Sequence, residues 1–454
     1  MPIIIPANSA VSGGFNAANS LMFNSADSPY LSFTPGSTGN QRTFTFSFWV
    51  KRSKLGLGGT GQVIYGQSYS SDGYQFKIEF TSNDEFRLYN SKGASDAINL
   101  KTNRRFRDTS AWYAITIAID TTQGTAANRA KIYVNGVQET SFGTATYPTQ
   151  NLDMDANAAA AQIIGARYSG SYNTYFDGYM AEFVFIDGSA LAPTDVGEFE
   201  EDSVIWQPID VSGLTFGSNG YYLDFEDSSA LGNDVSGNDN DWTVNNLTSI
   251  DQSIDTCTNN FATFNPLITT QSNTIPVFSE GNLTSTFDNG STNEFALSTF
   301  AVSSGKWYAE FKWVAATGSG TTSVGIVKTN ANFNQDVNDN GISYKGNGQK
   351  NIGGSSSSYG ATYGTGNIIS IALNMDDNQV TFYKDGASQG AISITADLTY
   401  FMYCTDYNSK SADANFGAPE TSVSSGNADG NGFGNFEYAP PSGYLALCTN
   451  NLNA

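Results

Sequence analysis

Apolar residues recur at every second position in segment after segment of this chain, a pattern that commits it to pleated sheets buried on one face. From Thr43 to Val50, Phe44, Phe46 and Phe48 alternate with Thr45 and Ser47. That period of two sets aromatic rings on one side of a strand and hydroxyls on the other. Phe76, Ile78 and Phe80 oppose Lys77 and Glu79 between Tyr74 and Phe80, and Tyr113, Ile115, Ile117 and Ile119 share a face after Trp112. The second half repeats the pattern at Trp307, Ala309, Phe311 and Trp313, against Tyr308, Glu310 and Lys312, and at Ile369, Ile371 and Leu373. No segment reads as a long helix. Gly, Asn, Ser and Asp fill the intervals, and the 46 glycines supply the positive-φ positions that tight reversals need.

A length of 454 residues allows about three domains at ~150 residues each, or two at the ~200–250 common in all-β domains. An internal echo favours two: Ile115–Asp120 followed by Tyr133-Val-Asn-Gly136, and Ile369–Asn374 followed by Tyr383-Lys-Asp-Gly386. Each copy reads as a strand, a connection and an Asn-Gly or Asp-Gly hairpin. Cys257-Thr-Asn-Asn and Cys448-Thr-Asn-Asn bracket the second copy. The expected division is an N-terminal arm at 1–19, a sandwich at 20–206, a Gly/Asn/Asp-rich connector at 207–255 with an edge strand, a second sandwich at 256–420 and an extended tail at 421–454. The fold class expected is all-β, two tandem antiparallel β-sandwiches.

The chain has no histidine, which removes Ser-His-Asp and Cys-His catalysis and His-ligated metals. Its 21 Lys and Arg against 43 Asp and Glu give a net charge of −22. Phosphate neutralisation needs clustered cations, and Arg104, Arg105 and Arg107 form the only tight group, so no nucleic-acid partner is expected. No apolar run approaches the ~20 residues of a membrane span, and the N-terminus lacks the charged and apolar regions of a signal peptide. Cys257, Cys404 and Cys448 lie too far apart for a disulfide framework or a metal knuckle and are expected as reduced, structural thiols.

The first half, through Ser20–Phe23, Phe46–Val50, Trp112–Ile117, Tyr133–Gly136 and Phe176–Phe183, resembles the laminin-G-like, concanavalin-A-like jelly roll. The second half resembles the SPRY fold through Ser304–Phe311, Val324–Ile326, Ile368–Asn374 and Val380–Gln389. The whole arrangement, with Gly217–Phe225, Asn233–Trp242 and Pro440–Cys448, is similar to virion proteins of tailed phages, notably marine ones. That resemblance implies a non-enzymatic structural or adhesion protein on the virion surface: a capsid decoration, fibre or tail component. It would meet other virion proteins or a host-surface glycan, and as a homo-oligomer, since such components work as symmetric copies. A carbohydrate-active enzyme or free lectin of a marine bacterium is the contrasting class.

A retaining glycosidase needs paired carboxylates about 5–5.5 Å apart, often from an ExDxE strand, and none occurs; Glu198-Phe-Glu-Glu-Asp202 lacks the central acid. Asp336, Asn338 and Asn340, followed by Gly341, match the first half of a calcium loop, but the twelfth position is Asn347. An Asx-rich turn explains the same residues, so no cofactor is expected beyond calcium at that loop. Two polar loops carry spaced tyrosines, Tyr168, Tyr172 and Tyr175 in one and Tyr359 and Tyr363 in the other. Such rings either offer a flat face and a polar tip to a glycan or protein, or lie back over a sheet edge.

Overall fold

The computed structural model describes residues 14–56, 59–68, 75–93, 95–201, 204–268, 275–290, 292–333 and 337–452. They form two compact units, one closing at Thr258 and the other beginning at Asn259. Each is built on a pair of large sheets, antiparallel but for one short strand, with two small two-stranded sheets added in the first unit and helix limited to single turns.

In the first unit, one sheet runs in the order Val137–Gln138, Ala130–Val134, Trp112–Asp120, Thr43–Arg52, Gly178–Asp187, Ser20–Phe23, Gln252–Ser253. The facing sheet runs Phe142–Thr146, Ser95–Arg105, Glu85–Lys92, Gln75–Phe80, Gln62–Ser68, Gln162–Ile164, Tyr30–Phe33, Thr243–Asn245. The alternation read from sequence sets the inner face, where Phe44, Phe46, Phe48, Phe76, Ile78, Ile115 and Ile117 are fully enclosed. Phe46 lies 4.6 Å from the rings of both Tyr65 and Phe185. Each such side chain stabilises by about 1.5–3 kcal/mol on burial.

In the second unit, one sheet runs Val277–Ser279, Thr284–Phe287, Lys410–Asn415, Lys306–Ala315, Ile368–Asn374, Gln379–Lys384, Ala387–Ser393. The other runs Glu294–Val302, Tyr400–Asp406, Ser323–Lys328, Gly341–Lys345, Gln349–Ile352, Ser355–Ser358. Trp313, Phe311, Ile369, Ile371 and Phe382 fill the space between. The echoed hairpins match in conformation: φ is 50° and 74° at Asn135-Gly136, 48° and 78° at Asp385-Gly386. Positive φ at both central residues is the type I′ turn, whose twist suits a two-residue hairpin. A Cβ on Gly136 would stand 2.2 Å from the Trp206 ring, and one on Gly386 would stand 2.7 Å from Tyr438, so each turn is roofed by an aromatic from later chain.

Three readings of the sequence need correction. The stretch expected as a connector belongs to the first sandwich: Tyr221–Leu223 and Gln252–Ser253 extend one sheet and Thr243–Asn245 the other. Trp242 is buried beside Tyr221. Asp234 supplies the hydrogen bonds that the Gly/Asn run cannot make with itself, accepting the amides of Tyr222, Ser236 and Asn240. The expected extended tail likewise packs back, with Phe436 fully buried and Leu445–Ala446 pairing parallel to Lys306–Ala315. Asp429 holds it by accepting the amides of Asn431, Phe433 and Ala446 and the Asn451 side chain.

The outer faces beneath these segments are therefore dry. Tyr308 and Glu310, expected on a wet face, are buried. Glu310 accepts the backbone amides of Glu437 and Tyr438 at 2.9 and 2.8 Å and the Tyr308 hydroxyl at 3.0 Å. In the first unit, Lys51 pairs with Asp255 at 2.6 Å with both side chains at most 2% exposed, and Trp112 Nε1 donates to the same carboxylate. The arginine group stays exposed, Arg104 and Arg105 ending the strand Ser95–Arg105, while Arg107 and the buried Arg52 converge on the buried Asp84. Of the expected arm, Ala17 is buried, and residues 1–13 lie outside the described residues.

Candidate functional site

The first tyrosine loop folds as a small hairpin, Arg167–Tyr168 pairing with Tyr172–Asn173 so that Tyr168 faces Tyr172 across the strands. Gly170, at φ 81°, makes the reversal, and Asn173 Nδ2 donates to Ser169 Oγ and Ser171 O, which fixes the tip. Behind the hairpin, Thr174 O accepts the Val63 amide and Gly165 O accepts the Phe176 amide, anchoring it to the sheet. The result is an aromatic platform: Tyr172 stacks on Tyr30 at 4.0 Å and 22°, and Tyr168 meets Tyr172 edge-on at 5.0 Å. Tyr168 is 42% exposed, while Tyr172 and Tyr175 are half-buried. Burial, together with the hydrogen bond to Tyr172 and the nearness of Tyr175, pushes the Tyr30 hydroxyl up to about 12.

Beside the platform lies a cationic stripe. Tyr168 and Arg167 line a shallow hollow with Gly66, Gln67 and Lys77. Lys77 and Arg87 share the Glu79 carboxylate at 3.0 and 3.3 Å and both lie over the Tyr89 ring. Burial, opposed by Glu79 but aided by the like charges of Arg87 and Arg167, holds the Lys77 ammonium below its ordinary range. Arg167 Nε is enclosed and makes no hydrogen bond with the described residues. Lys77 and Arg87 share one carboxylate, so together with Arg167 they leave net positive charge beside the exposed Tyr168 ring in a chain of net charge −22. The sequence reading missed Tyr30, Lys77, Arg87, Tyr89 and Arg167. The available signal was the outward phase of Lys77, which the alternation already fixed.

The second loop behaves differently. Tyr363 is 4% exposed, packs 4.7 Å from the Tyr344 ring and donates its hydroxyl to Tyr344 O at 2.6 Å, so it is a core residue. Tyr359 is half-buried, lies edge-on to Tyr344 and Phe382, and donates to Gly390 O. Burial pushes its hydroxyl up to about 12. The structure thus gathers Tyr168 and Tyr172 into one surface and spends Tyr359 and Tyr363 on packing.

Of the calcium candidates, Asp336 lies outside the described residues. Asn338 falls in the single helical turn Val337–Asp339, and the Asn340 amide donates to Val337 O. Among the described residues no three acidic or thiol side chains converge as a metal would require. Buried carboxyls are instead tied to the chain's own donors. Glu182, at a bulge with φ 51°, accepts the Tyr222 hydroxyl, and burial lifts its pKa to about 8. Asp177 accepts the Ser25 amide and hydroxyl. Thr284 Oγ1 lies 2.7 Å from Asp413 and 2.6 Å from Glu420. One hydroxyl proton cannot serve both carboxyls, so one of them carries a proton. Burial and the charges of Glu280 and Asp413 raise the pKa of Glu420 and assign the proton there. Cys257, Cys404 and Cys448 are buried free thiols, as expected.

Comparison with known proteins agrees with the two sandwiches. Residues 25–197 match the concanavalin A-like lectin/glucanases superfamily, and residues 306–419 match the SPRY domain. Similar solved structures include the SPRY domain of human HERC1, at 19% identity and TM-score 0.28, covering 33% of this chain and 96% of that one. A putative carbohydrate binding protein from Bacteroides ovatus matches at 16% identity and TM-score 0.33, covering 51% of this chain and 58% of that one. A heptameric SAP-like pentraxin from Limulus polyphemus matches at 15% identity and TM-score 0.27, covering 41% and 76%. No curated protein sequence matches the chain. Among the described residues no helix is long and apolar enough to cross a membrane.

Proposed function

Starting from a concanavalin A-like sandwich followed by a SPRY sandwich, we propose that this chain is a non-enzymatic recognition protein that binds glycan through the Tyr30–Tyr168–Tyr172 platform. The observation that carries the reading is the stacked, partly exposed ring cluster beside the Lys77–Arg87–Arg167 stripe. A tyrosine face covers the C–H face of a sugar ring, and adjacent cations meet carboxylate or sulfate substituents. The hairpin's internal hydrogen bonds hold the rings in place before a ligand arrives, which lowers the entropic cost of binding.

The chain works, in this proposal, on the surface of a tailed-phage particle as a decoration, fibre or tail adhesion component, in homo-oligomeric form and beside other virion proteins. Supporting this setting is the resemblance carried by Gly217–Phe225, Asn233–Trp242 and Pro440–Cys448. A free lectin would use the same platform. Immunogold labelling of intact particles separates the two: periodic label on capsid or tail is the expected result, and unlabelled particles would leave only the lectin. The binding itself is tested by adsorption of purified protein to host-surface polysaccharide. Tyr168→Ala with Tyr172→Ala should weaken adsorption by about 5–150-fold, at about 0.5–1.5 kcal/mol per ring.

A further inference from the structure

On the first unit's other sheet, facing outward, is a cleft of about 290 Å³ lined in part by Ala118, Asp120, Gln123, Asn128, Lys131 and Tyr133. Its floor follows from strand register. Thr45, Ala118 and Lys131 stand abreast on three neighbouring strands, and Tyr133 is the next outward residue along Ala130–Val134.

Both walls are held rigidly. The loop after Asp120 is pinned by Arg129, whose guanidinium donates to the carbonyls of Gln123, Gly124 and Pro148. Asp120 itself accepts the Thr122 amide and hydroxyl and the Gln123 side chain. The opposite wall, Ala190–Ala192, is fixed from below: Thr45 donates to Ser189 O and accepts the Leu191 amide, and Asp195 accepts the Ala192 amide. Three polar ends in this cleft, the Asn128 amide, the Lys131 ammonium and the Tyr133 hydroxyl, make no side-chain hydrogen bond or ion pair with the described residues. Pre-formed walls and unspent polar groups distinguish a binding site from a surface dent.

We propose that this cleft binds a single neutral pyranose, a second glycan site on the opposite sheet from the tyrosine platform. The inference rests on the reading of the chain as a glycan-binding protein. Size restricts the ligand to one ring, because ligand pockets run from about 300 Å³ upward and this cleft is at the lower limit. Charge points to neutrality, because the one anion and one cation of the lining, Asp120 and Lys131, offset each other and leave neither sign of sugar favoured. A pair of vicinal hydroxyls can donate to Asp120 and accept from Lys131 and Asn128 together. Tyr133, Ala118 and Leu191 supply apolar contact for the ring carbons.

The test is saturation-transfer NMR and titration calorimetry of the full chain with methyl hexopyranosides and with methyl glucuronide. The expected result is binding of a neutral hexoside, with Asn128→Ala/Lys131→Ala raising Kd at least tenfold and the glucuronide binding at least tenfold more weakly. Both substituted side chains belong to the surface, and circular dichroism verifies that the variant is folded. Undiminished hexoside binding by that variant overturns the proposal, as does tighter binding of the glucuronide. If the wild type binds no hexoside yet adsorbs to polysaccharide in a manner lost in Tyr168→Ala/Tyr172→Ala, this inference fails and the platform stands. If neither ligand binds, both fall.

Discussion

Asp255 lies in a stretch whose composition reads as a linker, yet it receives the Lys51 ammonium at 2.6 Å and the Trp112 indole at 3.1 Å with almost no exposure. A linker acid changed to alanine alters stability by less than about 0.5 kcal/mol. Removing one partner of a buried ion pair instead costs about 3–5 kcal/mol, because the remaining charge stays in a low-dielectric site. Asp255→Ala is therefore expected to destabilise the first unit by about 3–5 kcal/mol. Adding Lys51→Met should recover most of that loss, since replacing both charges by apolar groups of similar size is often neutral. Because a two-unit chain has no single unfolding free energy, the assay is amide hydrogen exchange against urea, read on peptides from Trp112–Asp120 and Thr43–Arg52. A loss under 1 kcal/mol in the single variant, or no recovery in the double, would refute the reasoning.

Other outcomes follow from the same geometry. Phe436→Ala, which removes a fully buried ring 5.0 Å from Tyr308, should cost about 3–5 kcal/mol in the second unit and release the tail to protease; a protease-resistant tail would contradict it. Folded Glu182 keeps its proton to about pH 8, raised by burial, whereas the unfolded carboxyl ionises near 4.3, so the native state binds more protons between those limits. The stability it contributes is full below pH 4 and drains as pH rises through 8, by up to about 4–5 kcal/mol at 1.36 kcal/mol per unit; Glu182→Gln should flatten that part of the urea-midpoint profile. Chelation with EGTA is expected to leave Tm unchanged. A fall of several degrees would instead make Asp336, Asn338 and Asn340 a calcium site.

Period-two alternation made the inner faces legible, and the Asn-Gly and Asp-Gly pairs marked both type I′ hairpins. What the local pattern hid was the second layer over the outer faces. Alternation reads Tyr308 and Glu310 as wet because their partners, Phe436 and the amides of Glu437 and Tyr438, arrive from more than a hundred residues away. Asp234, Asp255 and Asp429 do the same work: each sits in a polar stretch that looks solvated until the bonds it accepts from Tyr222, Lys51 and Ala446 are counted. The two tyrosine loops differed for a related reason. Tyr363 and Tyr168 have similar Gly/Ser neighbours, and only the Tyr344 ring and carbonyl beneath Tyr363 turn it inward. The Lys77–Arg167 stripe needed three-dimensional placement, since its members come from strands and a hairpin ninety residues apart.

Titration calorimetry of the full chain with an acidic oligosaccharide, in parallel with Tyr168→Ala/Tyr172→Ala and with Arg167→Ala, tests recognition at the platform most directly. The expected result is saturable binding that weakens at least about fivefold in both variants and falls with added salt, as cation-assisted contacts do. Equal affinity in all three proteins, or no heat from any acidic or neutral glycan, would contradict it.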